Sequence, residues 1–222
     1  MNRLVCAVAL LALSAVCRGD SLSAVLARMD QGAAGFHGMS ADLTMVTHTA
    51  ILDDNTTENG SIKMSKSKSG TEALIDFTSE TNRRTIAFLD KTIQLYFPKL
   101  NLVQIYKLGR KANLLDQYLL LGFGTSGKDL TKGYEVQFAG TEQVNGQDTS
   151  KLVLTPKTAG VKEQLSKVEI WLPEKSGYPV QQKFYNPSGN FRLATYTNFQ
   201  LNPPLGAIKL NVPPNAKIEY PQ

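Results

Sequence analysis

The sequence predicts a mainly β fold with some α-helix, either an antiparallel barrel or a strongly curved antiparallel sheet. Most of the chain consists of short segments in which apolar and polar residues alternate, as they do on half-buried strands. Gly, Asn and Pro residues separate these segments by turns of about two to five residues, which favours antiparallel hairpins. Two further segments have apolar residues at helical spacing, and a curved sheet offers a side on which to bury them.

The first segment has the features of an export signal. Arg3 precedes an apolar run, Leu4 to Val16, that is short for a membrane span. We therefore predict a signal peptide over residues 1–19 and a single domain over residues 20–222. Both cysteines, Cys6 and Cys17, lie in the signal, so the mature chain would hold its fold without a disulfide.

Cys17 could alternatively carry a lipid that anchors the protein to a membrane. A lipoprotein signal usually has Leu or Val three residues before the modified cysteine and a small residue just before it. Here Ser14 and Val16 occupy those positions. The poor match favours cleavage and release of a soluble protein over lipidation.

The first predicted element is an amphipathic helix over residues 21–34. Leu22, Val25, Leu26 and Met29 fall on one face of a helix with 3.6 residues per turn. Asp20 or Ser21 can cap its start, because their side-chain oxygens accept hydrogen bonds from free backbone N–H groups. Two glycines, at positions 35 and 38, end it.

Strands follow in the first half of the chain. Residues 39–52 alternate, and Met39, Ala41, Leu43 and Met45 share one side. Residues 53–60 are predicted to be a turn that ends in Asn59-Gly60, a pair that tolerates positive φ. Further alternating segments cover residues 61–67, 72–78, 84–90, 92–98 and 102–108.

The alternation stops in the middle of the chain and then resumes. Residues 110–124 carry Leu114, Leu115, Tyr118 and Leu119 at helical spacing, which predicts an apolar helix. Strands resume in residues 134–144, 148–156, 167–173, 178–185 and 190–201, with an Asn145-Gly146 turn between the first two. The total is about ten or eleven antiparallel strands.

Catalytic and metal-binding patterns are weak. His37 and His48 have no neighbouring cluster of metal-ligating residues at a suitable spacing. Gly122 to Gly127 match G-x-G-x-x-G, but a helix rather than a strand is predicted before them, so we interpret them as a loop. Asp53, Asp54 and Glu58 could bind a cation or act as acid and base, and a polar turn explains them equally well. We therefore expect no cofactor and no enzymatic activity.

The net charge of +5 is modest and spread along the chain. A nucleic-acid interface requires clustered basic residues, so we expect no nucleic-acid partner.

An excess of apolar residues on the strands is the most informative feature. They form either a packed core or an apolar ligand cavity beneath a helical lid, and methionines would help such a cavity adapt to its ligand. The candidate cavity residues are Ile62, Met64, Leu74, Ile86, Phe88, Leu95, Phe97, Ile105, Val136, Phe138, Leu152, Leu154, Ile170, Leu172 and Phe184.

The order of these elements resembles the periplasmic outer-membrane lipoprotein carriers of the LolA/LolB-like family. The resemblance extends over the whole mature chain, from "ADLTMV" through "DKTIQLYFP", "LLDQYLLLGFG" and "VEIWLPEKSGYPVQQKFYNPSGN" to "PPNAKIEY". It implies an unclosed, strongly curved antiparallel barrel with a helical lid, which carries Leu114, Leu115, Tyr118 and Leu119. It also implies that the interior binds the acyl chains of lipoproteins and carries them to the outer membrane.

The resemblance further implies partners and a closing contact. An inner-membrane exporter would supply the acylated cargo, and an outer-membrane receptor would accept it from a monomeric carrier. In the best-known carriers an arginine on an early strand holds the lid shut, whereas the equivalent region here has Lys66 and Lys68. We predict Lys66 as the lid contact. A lysine is a point donor, so such a latch would be looser than one made by arginine.

Two other functions stay open from the sequence. The same fold could serve a sensor or scaffold that binds lipoproteins or a signalling protein without transporting them. An unrecognised hydrolase is a third alternative, against which the scarcity of histidine and the absence of a mature thiol both argue.

Overall fold

The computed structural model describes residues 20–67, 70–109 and 119–221. The predicted signal peptide and most of the predicted lid helix lie outside these ranges. The described elements, in chain order, are α1 (Leu22–Ala34), β1 (Gly38–Thr49), β2 (Asp54–Ser67), β3 (Gly70–Phe77), β4 (Arg84–Leu89), β5 (Thr92–Phe97), a 3-10 helix (Pro98–Leu100), β6 (Leu102–Lys107), α2 (Gly127–Gly133), β7 (Tyr134–Val144), β8 (Gln147–Pro156), α3 (Ala159–Lys162), β9 (Lys167–Pro173), β10 (Gln181–Tyr185), β11 (Phe191–Leu201) and β12 (Lys217–Glu219).

One twelve-stranded sheet contains all the described strands, in the order β12-β6-β5-β4-β3-β2-β1-β11-β10-β9-β8-β7. Two antiparallel meanders, β1 to β6 and β7 to β11, join where β1 pairs with β11. The sheet is not closed, because β7 and β12 are its two edges. This confirms the unclosed, mainly antiparallel sheet that the sequence predicts, with twelve strands where ten or eleven are predicted.

Cross-strand register divides the sheet into two faces, since directly paired residues point to the same side. Met39, Ala41 and Leu43 are buried on one side of β1, as predicted. They pair with Met64, Ile62 and Gly60 of β2. We call this side the inner face, because Phe36 and Phe123 pack against it, and we call the opposite side the outer face.

Helix α1 is the amphipathic helix that the sequence predicts. The Ser21 hydroxyl accepts a hydrogen bond from the backbone N–H of Ala24, and Val25 and Met29 are buried. Asp20 does not cap the helix. Its carboxylate instead forms an ion pair with Arg28 at 2.6 Å and accepts a hydrogen bond from the Ser150 hydroxyl, which ties the start of α1 to β8.

The first hairpin differs from its prediction. Strand β2 begins at Asp54 and continues through Gly60, so the turn is only Ala50 to Asp53, where Asp53 has φ 47°. Gly60 therefore lies within the strand, and a close contact with β3 explains why this residue is a glycine. A Cβ atom at this position would lie 2.2 Å from the carbonyl oxygen of Asp76 on β3.

Helix α2 is not among the predicted elements, since Gly122 to Gly127 are interpreted as a loop and no helix is predicted directly after them. The Ser126 hydroxyl accepts a hydrogen bond from the N–H of Asp129 and caps this seven-residue helix. Gly127 lets the helix approach α1 closely, since a Cβ there would lie 2.6 Å from the carbonyl oxygen of Leu26. The short helix supports no dinucleotide site, because turns rather than a strand occupy residues 120–124 before it.

The C-terminal segment crosses the outer face and ends as β12, which pairs in parallel with β6. The Asn202 side chain fixes its start by accepting hydrogen bonds from the N–H groups of His37 and Gly38 and donating one to the carbonyl of Gly35. Short, proline-interrupted strands of this kind give little alternation signal.

In the described part of the chain, no helix has the length and apolar character needed to cross a membrane.

Candidate functional site

The inner face brings together most of the predicted cavity residues. The register of the paired strands assigns them to this face from β2 across to β5 and from β7 across to β10. They are Ile62, Met64, Ile86, Phe88, Leu95, Phe97, Val136, Phe138, Leu152, Leu154, Ile170, Leu172 and Phe184.

Leu74 and Ile105 lie on the outer face instead. On β3 the alternation sends Ala73, Ile75 and Phe77 inward, so Leu74 points outward, where it shares a surface cavity with Lys209 of the C-terminal segment. Ile105 pairs with Gln94 on the outer side of β5. Apolar residues occur on this face because the C-terminal segment covers part of it, and alternation alone cannot distinguish the two sides of such a strand.

The inner face of β7 to β9 is a packed core. Leu152, Leu154, Ile170 and Leu172 have no exposed surface. They belong to one cluster with Val25 and Met29 of α1 and Leu130 of α2, and Val136 and Phe138 pack at its margin. Helical side chains therefore fill this half of the inner face, and a ligand-lining role for its strand residues stays a prediction.

The inner face of β4 and β5 has a different character. Ile86, Phe88, Ile93, Leu95 and Phe97 are all half-buried and lie side by side across the two strands. Ile86 and Phe88 border the buried cluster that contains Ile62 and Met64. We call these five residues the β4–β5 surface, and it is the partly exposed apolar area that a cavity for an apolar ligand requires.

A charged pair borders the β4–β5 surface at one end. Arg84 and Glu58 form a two-point ion pair, with N···O distances of 2.5 and 2.9 Å. The Arg84 guanidinium also lies 4.2 Å from the centre of the Phe77 ring. Hydrogen bonding from Arg84 holds the pKa of Glu58 below its ordinary value, against the opposing effect of burial. Glu58 is thus a structural carboxylate on β2 and not part of a turn.

Residues 120–124 form turns, although the predicted lid helix extends to residue 124. Gln182 anchors this segment to the inner face. Its side-chain N–H donates to the carbonyl of Leu121 at 2.6 Å, and its side-chain oxygen accepts from the Tyr196 hydroxyl at 2.7 Å. Gly122 continues this segment with φ +81°. Gln182 is not among the predicted site residues, because a polar residue at an inward position breaks the apolar pattern. Alternation along β11 is enough to predict that Tyr196 points to the inner face.

Lys66 contacts the same segment. Its ammonium group donates to the carbonyl of Gly124 at 3.3 Å, in an exposed position. Leu119 is half-buried and packs against the cluster around Phe36 and Phe123. The other predicted lid residues, Leu114, Leu115 and Tyr118, lie outside the described residues. The roles of Leu119 in a lid and of Lys66 in closing it stay predictions.

His48, one of the two candidate catalytic histidines, packs against residues of the neighbouring strands. His48 stacks on Phe191 with ring centres 4.7 Å apart and shares a hydrogen bond with Asn55. Within the described ranges, no group of three His, Cys, Asp or Glu side chains is placed to hold a metal ion.

Sequence comparison identifies a family for the greater part of the chain. A family model with the description "uncharacterized protein"-like matches residues 69–202. No curated protein matches the sequence significantly.

Solved structures align with most of this chain, and those with a TM-score above 0.5 share its fold. An uncharacterized conserved protein from Thermus thermophilus aligns with TM-score 0.53 and 11% identity, over 91% of this chain and all of that one. MucB aligns with TM-score 0.51 and 14% identity over 88% of this chain, which covers only 64% of the MucB chain. A LolA superfamily protein from Nitrosomonas europaea aligns with TM-score 0.39 and 13% identity, over 83% of this chain and 94% of that one.

Proposed function

The chain belongs to the family whose model matches residues 69–202, and we propose that it is a lipid or lipoprotein carrier with a LolA-like fold. In this proposal the β4–β5 surface and the predicted lid enclose the acyl chains of a cargo molecule. The protein delivers that cargo to the outer membrane without covalent chemistry. The observation that carries the proposal is that the β4–β5 surface is only half-buried, whereas the inner face of β7 to β9 is packed against helical side chains.

Acyl-chain burial would supply the binding energy. Each methylene group removed from water contributes about 0.8 kcal/mol, so a long chain needs only a partly apolar surface to bind usefully. Leu119 and Leu120, which pack against the same buried cluster as Ile86 and Phe88, would compete with the cargo for this surface. That competition would keep affinity moderate and allow the cargo to be passed on.

The location and partners belong to the same proposal. Residues 1–19 would direct export and then be removed, leaving residues 20–222 as one soluble domain in the periplasm. An inner-membrane exporter would be the donor and an outer-membrane receptor the acceptor. Lys66, through its contact with the Gly124 carbonyl, would hold the end of the lid segment in its closed position.

A second candidate is a regulatory scaffold with the same fold. MucB, which shares this fold, has been solved in complex with MucA. In this alternative the inner face senses a lipid while another surface binds a protein. Cargo transfer distinguishes the two, because a scaffold would bind acylated cargo without passing it to outer-membrane vesicles.

Uptake of a fluorescent fatty-acid probe tests the carrier proposal. Phe88→Glu places a charge on the β4–β5 surface, and we expect probe uptake to fall at least about tenfold, because ionised groups are costly beside buried alkyl chains.

Leu74→Glu is the matched control, since it introduces the same charge at a half-buried apolar strand position on the opposite face. Uptake by this variant should stay close to that of the wild type. Equal uptake by the Phe88→Glu variant and the wild type would contradict the assignment of the β4–β5 surface.

A further inference from the structure

A separate cavity of about 350 Å³ lies where β1 and β10 end and β11 begins, facing α3. Its volume is within the range of small-ligand sites. Only one residue of the predicted cavity set, Phe184, lines it. Thr47, Tyr134, Val161, Leu165, Asn190 and Arg192 are among the other residues that form its walls.

One part of this cavity is apolar. Leu165 is buried in the cluster around α1, and Val161, Tyr134 and Phe184 pack against that cluster. Burial raises the pKa of Tyr134, so its ring lies in a poorly solvated environment. An alkyl chain entering here would contact a wall that is continuous with the hydrophobic core.

The charge of the cavity is positive. Among the described residues that line it, Arg192 has a permanent charge and none is acidic. Arg192 lies directly across from Thr47 on β1 and Phe184 on β10, so it borders the apolar part. The carboxylate that Arg192 influences electrostatically is Glu58, which Arg84 already neutralises.

Neutral donors accompany this positive charge. The Asn190 side-chain oxygen accepts from the N–H of Ala50, and the Asn186 side-chain oxygen accepts from the N–H and hydroxyl of Ser188. Both side chains belong to lining residues of the cavity, and their NH₂ groups add hydrogen-bond donors to its walls. An anion at these walls would find a guanidinium and amide donors together.

The geometry points to a binding site for an anionic amphiphile, with its alkyl chain against Phe184 and Leu165 and its carboxylate or phosphate group at Arg192. This inference goes beyond the proposed carrier function, because different residues form the β4–β5 surface. Either site can bind without the other.

Isothermal titration of the purified protein with decanoate, decyl phosphate and uncharged decanol tests the inference. We expect at least one of the anions to bind about tenfold more tightly than decanol, as a charge-assisted hydrogen bond would give. Comparison of the two anions identifies the preferred head group. The side-chain Nε–Hε signal of Arg192 in the NMR spectrum should shift on binding.

Variants assign the effect to this cavity. Arg192→Gln should abolish the preference for anions, and Arg192→Lys should retain part of it. Gly160→Leu should weaken binding of all three probes, since Gly160 lines the cavity and a Cβ atom there meets no other atom within 4 Å. Equal affinity for decanol and both anions in the wild type would overturn the inference, as would an unchanged preference in Arg192→Gln.

Phe88→Glu separates this inference from the carrier proposal. The preference for anions and the Arg192 signal shift should both persist in this variant, even where fatty-acid probe uptake is lost. Loss of both in Phe88→Glu would assign the ligand to the β4–β5 surface and contradict a separate site.

Discussion

Gln182 is a buried amide on a largely apolar face, and its two hydrogen bonds link β10, β11 and the turns at residues 120–124. A buried polar group is costly unless it is paired, so this side chain specifies one arrangement of its partners. Gln182 therefore fixes the position of Leu121 relative to the sheet. No sequence pattern identifies such a residue, because its role depends on partners far along the chain.

Replacing Gln182 by Leu should lower the free energy of unfolding by about 2 kcal/mol, because the Tyr196 hydroxyl and the Leu121 carbonyl would lose their partner. Chemical denaturation measures this loss. Tyr196→Phe is the control that removes only one of the two hydrogen bonds, and it should cost less. A Gln182→Leu variant as stable as the wild type would show that this amide does not anchor the segment.

The Glu58–Arg84 pair makes stability depend on pH. Because the pKa of Glu58 is lower in the folded protein than its ordinary value of 4.5, the pair stabilises the fold above that value. The stabilisation is lost as the pH falls through the folded-state pKa. The wild type should therefore lose more stability than Glu58→Gln between about pH 6 and pH 3.

At neutral pH, Glu58→Gln should lower the free energy of unfolding by about 2–3 kcal/mol, since it leaves a largely buried Arg84 without its counter-charge. Thermal unfolding of both proteins across this pH range measures the two effects together. Parallel stability curves for the wild type and the variant would contradict this account of the pair.

At the scale of elements, the sequence predicts α1 and most strands well, because their burial follows simple periods. The errors occur where a contact with another element decides the structure. Gly60 resembles a turn residue, but it lies within β2 because only glycine fits beside the Asp76 carbonyl of β3. Helix α2 depends in the same way on the close approach of Gly127 to α1.

Gly60→Ala should therefore destabilise the β2–β3 pairing, at a cost of about 1–3 kcal/mol, the range found for overpacked positions. Gly35→Ala is a suitable control, since a Cβ there meets no atom within 4 Å and its φ is −102°. Hydrogen exchange of β2 and β3 amides should increase in Gly60→Ala alone. Equal exchange rates and stabilities in the two variants would argue against a tight contact at Gly60.

At the scale of the whole molecule, the open sheet has two unlike halves. Side chains of α1 and α2 fill the inner face of β7 to β9, while the β4–β5 surface stays partly exposed. The sequence predicts an unclosed barrel through its family resemblance. It cannot predict which apolar residues pack with each other. The pairing of β1 with β11 and the C-terminal segment on the outer face decide which side of the sheet each strand residue is packed against. Leu74 and Ile105 illustrate this limit.

Mass spectrometry of the protein purified from its native cells is the sharpest test of the proposal that it carries acyl chains. Extraction of the purified protein should release an acylated molecule, a lipoprotein or a lipid. Phe88→Glu purified in the same way should retain much less of that molecule, whereas Leu74→Glu should retain it. A wild-type protein that carries no acylated molecule, or a Phe88→Glu variant that carries as much as the wild type, would rule the carrier proposal out.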